Sequence, residues 1–417
     1  MEDKDLTQLI ATLPAELTAI LPQLGVAAQA KGYRLFLVGG VVRDLLLGRP
    51  AGDADIIVLG DAIDLAKSLS PSLGKLTIHP AFGTASIILG NTRLDLASAR
   101  TENYAHPGAL PTICLGTLKD DLRRRDFTVN TLAVSLNATD YGRLIDDHGG
   151  QGDLRAHLIR ALHEHSFADD PTRIWRAVRY EQRLGFNIEP NTLSWLAMGI
   201  MGLKNITGNR VWHELAGVLR EDAPEKALVR LSKLGALRQI HPILRADSWL
   251  AEKCQATRAL GTQSIPVYLA LLTYRLKNSE AEVLADYLHL SKPLRRVLQN
   301  THDIKVKLPV LGRYGLKSST IYQMLHGYAP ESLETNLVAS TSPQARRNIM
   351  FYQNKLRKIK VSLKGSDLIK LGVPLGPHIG ELLQRLLESR LDGQVTCRAD
   401  ELSLAKTIAA CYTPQPS

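Results

Sequence analysis

Asp53 and Asp55 stand two residues apart at the head of an apolar run, Ile56-Ile57-Val58. Side chains on a β-strand alternate between faces, so positions i and i+2 point the same way. Two adjacent carboxylates repel each other unless positive charge lies between them. With oxygen ligands alone, the usual solution is one or two divalent ions, most often Mg²⁺. Asp95 is a third acid of this kind. It lies in TRLDLA (92–97), which Gly90-Asn91 joins to TASIIL (84–89) as a predicted hairpin. An acid in an apolar strand must be paired, hydrogen-bonded or metal-bound. Three carboxylates on adjacent strands suit two metal ions about 3.5–4 Å apart, the arrangement used for phosphoryl transfer. A lone DxD also occurs as plain acidic capping ahead of a strand, so Asp95 supplies the test.

Anion-binding groups surround these acids in the sequence. Gly39-Gly40 follows the apolar strand RLFLV (34–38) and lets the backbone turn tightly and approach a ligand. Arg43 and Asp44 then fall in the first turn of a helix, whose free N–H groups favour phosphate. Arg123, Arg124 and Arg125 are consecutive, so they cannot share one face, and Asp126 is placed to pair with one of them. One of the three reaching inward would grip phosphate bidentately. In the helix expected within 166–186, Arg173, Arg176 and Arg179 recur every third residue along one side. A solvated basic face paired with Asp169 and Asp170 is the simpler account of that spacing. In the functional account, Asp170 and Arg173 imitate a Watson–Crick edge and read a base, while Arg176 and Arg179 reach a triphosphate.

The elements that must position these residues change character along the chain. Residues 4–31 predict one or two amphipathic helices interrupted by Pro14 and Pro22, and residues 101–120 an extended loop partly covering the site. A strand and a glycine-rich turn at 141–154 close a first domain. From 155 onward the pattern is almost wholly helical. The chain has 417 residues, too many for one core, so two to four domains are expected. The net charge of +10 favours a polyanionic partner. Eight Lys/Arg against one Asp between Arg346 and Lys370 form a candidate phosphate-backbone contact. The four scattered cysteines, with no CxxC pair, exclude a zinc knuckle or disulfide framework and fit a cytoplasmic protein. No apolar run approaches a membrane span, and the acidic start MEDKDLTQLI does not read as a signal peptide. His302-Asp303 and His163–His165 read as structural.

Five stretches taken in order, LVGGVVRDLLLGRPAGDADIIV (37–58), DLRRRDFTVNTLA (121–133), DDPTRIWRAVRYEQRLGF (169–186), TGNRVWHEL (207–215) and KGSDLIKLGVPLGPHIGELL (364–383), resemble the tRNA nucleotidyltransferase / poly(A) polymerase family in its bacterial CCA-adding branch. The resemblance implies an α+β chain. A nucleotidyltransferase head with a small mixed sheet (1–153) precedes a helical neck (154–225), body (226–330) and tRNA-binding tail (331–417). It implies transfer of CMP and AMP from CTP and ATP to the tRNA 3′ end with Mg²⁺. CC-only addition, A-only addition and poly(A) synthesis remain alternatives, as does a non-enzymatic RNA binder with a degenerate head. By motif, Asp53 and Asp55 hold the metal with help from Asp95. Gly39, Gly40, Arg43 and Arg125 contact the nucleotide, Asp170 and Arg173 select the base, and Arg176 and Arg179 support the phosphates. Arg210 and Glu214 brace the pocket. Asp169 departs from the family's usual Glu, Thr131 from its usual Ala, and no HD phosphohydrolase domain is seen. Oligomeric state is not legible.

Overall fold

The computed structural model describes residues 5–103 and 112–410. Cys411 and the middle of the loop expected at 101–120 lie outside them. The described chain divides into two compact units, one of residues 1–218 with 226–242, the other of 219–225 with 243–417.

In the first unit, helices α1 (Thr7–Ile10) and α2 (Ala15–Ala30) precede strand β1 (Arg34–Val38). Pro14 marks the start of α2, as expected, but Pro22 sits inside it without a break. A proline there forfeits one helical hydrogen bond and crowds the preceding turn, a cost of about 3 kcal/mol. Leu17, Ile20, Leu21 and Leu24 are all fully buried, and each contributes roughly 1.5–3 kcal/mol. Burial therefore outweighs the interruption. After β1 come α3 (Gly40–Leu46), β2 (Ala54–Leu59), α4 (Ala62–Leu73), β3 (Lys75–His79), β4 (Thr84–Leu89) and β5 (Thr92–Ser98). The described parts of the 101–120 stretch hold regular elements that the sequence did not suggest. β6 (Arg100–Asn103) pairs antiparallel with β7 (Thr112–Leu115), and α5 (Leu118–Arg123) follows under a Thr117–Asp120 capping box. Strands β8 (Ala133–Ser135) and β9 (Leu144–Ile145) and helix α6 (Gly150–Ala156) complete this part.

Seven strands form one sheet in the order β3-β4-β5-β2-β1-β8-β9. Only β2 and β5 run parallel, and their register sets Asp55 beside Asp95. The alternation along β5 is clean: Thr92, Leu94, Leu96 and Ser98 are buried, while Arg93, Asp95 and Ala97 turn the other way. Further along that second face, Ile57, Phe36, Val38 and Ala133 pack with Leu122 of α5. The sheet face bearing the acids is thus sealed at one end and open at the other.

The stretch expected as one helix at 166–186 is two, α7 (Ser166–Asp169) and α8 (Arg173–Leu184), with Asp170-Pro171-Thr172 between them. Helices Pro190–Gly199, Gly208–Leu219, Pro224–Lys233 and Ala236–Ile240 follow.

Among its described residues, the regular structure of the second unit is α-helical apart from one short 3₁₀ turn, and buried clusters hold it together. One joins Ile304 and Leu311 of the helix Lys292–Leu311 to Leu337, Ile349 and Tyr352. Another centres on Leu368, Leu382, Leu386 and Ala405. Buried Glu225 is gripped by both terminal nitrogens of Arg258. No helix among the described residues is long and apolar enough to cross a membrane.

Candidate active site

A cavity of about 920 Å³ opens on the acid-bearing face of the sheet, and Gly39, Gly40, Arg43, Asp53, Asp55, Asp95, Arg125, Asp170, Arg173, Arg176 and Arg179 all line it. Nine arginines and seven carboxylates meet there, a positive surplus that suits a polyanion.

Gly39 shapes the entrance. Its φ of +78° is closed to most residues, and a Cβ would stand 2.8 Å from Nη1 of Arg125. The glycine thus admits the arginine. Arg125 is also tied to Asp121, which is fully buried and holds Arg124 as well. Asp55 lines the cavity with its side chain exposed there, yet crowded by the protein around it. Burial raises its pKa above the ordinary carboxylate value, repulsion from Asp95 and Asp53 adds to this, and Arg125 and Arg93 oppose it. A set of acids short of positive charge, all oxygen donors, fits a hard divalent cation. The three acids do not close into a cage: among the described residues no group of three His, Cys, Asp or Glu is gathered to hold a metal. Asp95 Oδ1 instead accepts from Ser86 Oγ at 2.5 Å and Arg93 Nε at 2.9 Å.

The arginines take distinct posts. Arg43 is 2% exposed; its guanidinium bonds Asp44 through two nitrogens and Asn130 through the third, and lies over the Tyr180 ring. Its side chain is therefore engaged with Asp44 and Asn130, beside the GG turn. Asp126 does not pair with any of Arg123 to Arg125. It meets Arg176 at 2.8 Å, while Asn130 and its own neighbour Phe127 donate to its other oxygen. Burial alone would raise the Asp126 carboxyl; Arg176, Asn130 and Arg173 outweigh it and hold the pKa below the usual value. The Asp126 charge in turn raises that of Arg176. Glu214, nearly buried, lies in the field of Arg176 and Arg179; burial prevails and its pKa is raised. Gly217 leaves the room Arg179 occupies, since a Cβ there would overlap Nη1.

Asp170 accepts from Thr172 and from Arg210 at 2.7 Å. Arg173 is 5% exposed and donates to Ser166 Oγ and to the main-chain carbonyl of Arg124. Asp170 and Arg173, expected to read a base, both line the cavity, and each already holds partners within the fold. Arg173 to Arg179 are thus inside the site rather than a solvated face. Among the described residues, the buried Nε atoms of Arg125 and Arg176 have no hydrogen-bond partner, as donors awaiting an anion would. Sequence reasoning missed Ser86, Arg93 and Tyr180. The i, i+2 spacing of Arg93 and Asp95 was the available signal for Arg93; Ser86 becomes visible only through its cross-strand register with Asp95.

Carboxylates on a mixed sheet, a glycine turn and an arginine-bearing helix define a nucleotidyltransferase head. Residues 35–160 match the family profile of the poly A polymerase head domain, and residues 185–247 that of the probable RNA and SrmB-binding site of polymerase A. The A-adding tRNA nucleotidyltransferase of Halalkalibacterium halodurans is 31% identical, with 95% of this chain and 93% of that protein covered. That of Geobacter sulfurreducens is 38% identical over 95% of this chain, which spans 48% of its length. Among solved structures, an apo form of a CCA-adding enzyme superposes with a TM-score of 0.81 at 30% identity, covering 98% of this chain and 100% of that one. The Thermotoga maritima CCA-adding enzyme complexed with tRNA gives 0.77 at 30% identity, with the same two coverages. The chain belongs to the tRNA nucleotidyltransferase / poly(A) polymerase family.

Proposed function

We propose that this chain adds AMP from ATP to the 3′ end of tRNA. The observation that carries nucleotidyl transfer is the shared cavity in which Asp53, Asp55 and Asp95 face the arginines of α8. The choice of AMP rests on the A-adding relatives at 38% and 31% identity, each matched over 95% of this chain. A second reading, full CCA addition from CTP and ATP, is favoured by the solved neighbours, which include CCA-adding enzymes bound to ATP and to CTP.

In the reaction, the tRNA 3′-hydroxyl oxygen bonds the α-phosphorus as the α–β bridging bond breaks and pyrophosphate leaves. Asp53 and Asp55, with Asp95, would hold Mg²⁺, which would acidify the hydroxyl and neutralise charge on the leaving group. Arg125, Arg176 and Arg179 bind the phosphates, and the unpartnered Nε atoms of the first two gain an acceptor. Asp170 and Arg173 read the base, Arg173 exchanging Ser166 and the Arg124 carbonyl for it. The four-part division at 153, 225 and 330 and a cytoplasmic setting belong to the same reading.

Sequencing the products formed on tRNA lacking CCA, on tRNA ending in CC and on a generic RNA tests it. A single A added only to the CC-ending tRNA is expected, and Asp55→Ala should add none. Addition of CCA selects the second reading, and tailing of generic RNA overturns both.

A further inference from the structure

Arg93 stands on β5 two residues before Asp95, on the same face. It touches two of the three acids. Its guanidinium meets Asp95 Oδ1 at 2.9 Å, and its main-chain N–H donates to Asp53 Oδ1 at 3.1 Å. Ser86 Oγ takes the same Asp95 oxygen from the neighbouring strand. The Arg93 side chain is 56% exposed, so packing does not fix it and the contact is exchangeable. A guanidinium and a divalent cation on one carboxylate repel each other, so the two occupancies oppose one another.

We propose that Arg93 is a built-in counter-ion that competes with the divalent cation for Asp95. This rests on the reading of Asp53, Asp55 and Asp95 as metal ligands. The competition makes Arg93 a positioning residue: it keeps the acids apart and compensated until the cation displaces it. The displaced guanidinium then remains in a cavity built for phosphates.

The test is Mn²⁺ affinity of the full chain, measured by electron paramagnetic resonance without nucleotide or tRNA. Arg93→Ala should bind Mn²⁺ about two- to five-fold more tightly, the range an exposed ion pair supports. Arg93→Lys, which keeps the charge, should stay near wild type. With Asp95→Asn in the background, Arg93→Ala should change nothing, which isolates the pair. Far-UV circular dichroism checks that each variant is folded. If Arg93→Ala binds no tighter, or more weakly, while Asp53→Asn still abolishes binding, this proposal alone falls. If Asp53→Asn leaves Mn²⁺ binding unchanged, the metal reading falls and takes the proposal with it.

Discussion

Asp126 and Glu214 are both buried beside Arg176, yet their pKa values move in opposite directions. The Asp126 carboxyl lies below its ordinary value, so its contribution to stability is present above about pH 4 and is lost as pH falls through the folded-state pKa. The Glu214 carboxyl lies above its ordinary value, so its contribution is full below about pH 4.3 and is lost as pH rises through the folded-state pKa. Urea midpoints between pH 3 and pH 8 should show this directly. The advantage of wild type over Asp126→Asn should grow with pH, and its advantage over Glu214→Gln should shrink. Equal slopes for both would contradict the assignment. At neutral pH, Asp126→Asn should also cost about 1.5–3 kcal/mol, because it takes the charged partner from a part-exposed Arg176 guanidinium. The sequence showed that Asp126 needs a cation and offered three adjacent arginines; the fold supplies one fifty residues downstream. Such a choice depends on which elements meet, and periodicity carries no trace of it. Arg93 was in plain view in TRLDLA, two residues before Asp95, and the sequence reading made no use of it.

At the scale of elements, Gly185 ends α8 in the left-handed conformation, and Arg49 caps the same end. Its Nη1 and Nη2 donate to the carbonyls of Arg183 and Leu184. Arg49 lies in the loop that runs into Asp53, so one side chain links the acid-bearing strand to the arginine-bearing helix. Arg49→Ala should cost only about 0.5–1 kcal/mol, while nucleotide KM rises and Mn²⁺ affinity stays as in wild type. An unchanged KM would reduce Arg49 to a simple cap. Most elements were legible: β1, the β4–β5 hairpin and the helical second half follow from apolar periodicity and turn residues. Other features were not. Pro22 is carried by the burial around it. The β6–β7 pair was hidden because RTEN and TICL are short and without strong alternation.

At the scale of the molecule, charge is distributed unevenly. Of the basic residues between 346 and 370, Arg346, Lys355, Lys358 and Lys360 are exposed or part-exposed, and none of these four lies in an ion pair with a carboxylate among the described residues. Phe351, in their midst, is part-exposed under Lys355. If this face follows a tRNA backbone, log Kd should vary linearly with log salt. Lys358→Gln with Lys360→Gln should then reduce the slope by about 1.5. An unchanged slope would remove this face from the RNA contact. Composition showed the surplus of charge; only the fold shows which cations lack a carboxylate.

The parallel pairing of β2 with β5 carries a kinetic consequence. Arg93 meets Asp53 across 40 residues, Arg43 meets Asn130 across 87, and Arg210 meets Asp170 across 40. Each contact requires a long loop to close, whereas the helices of the second unit form from near neighbours. Contacts of large sequence separation are reached slowly. The cavity is therefore expected to form late in folding. During refolding, the helical signal should recover before nucleotide binding does, and a chain still emerging from the ribosome holds its acids and its arginines while it has no place for a substrate.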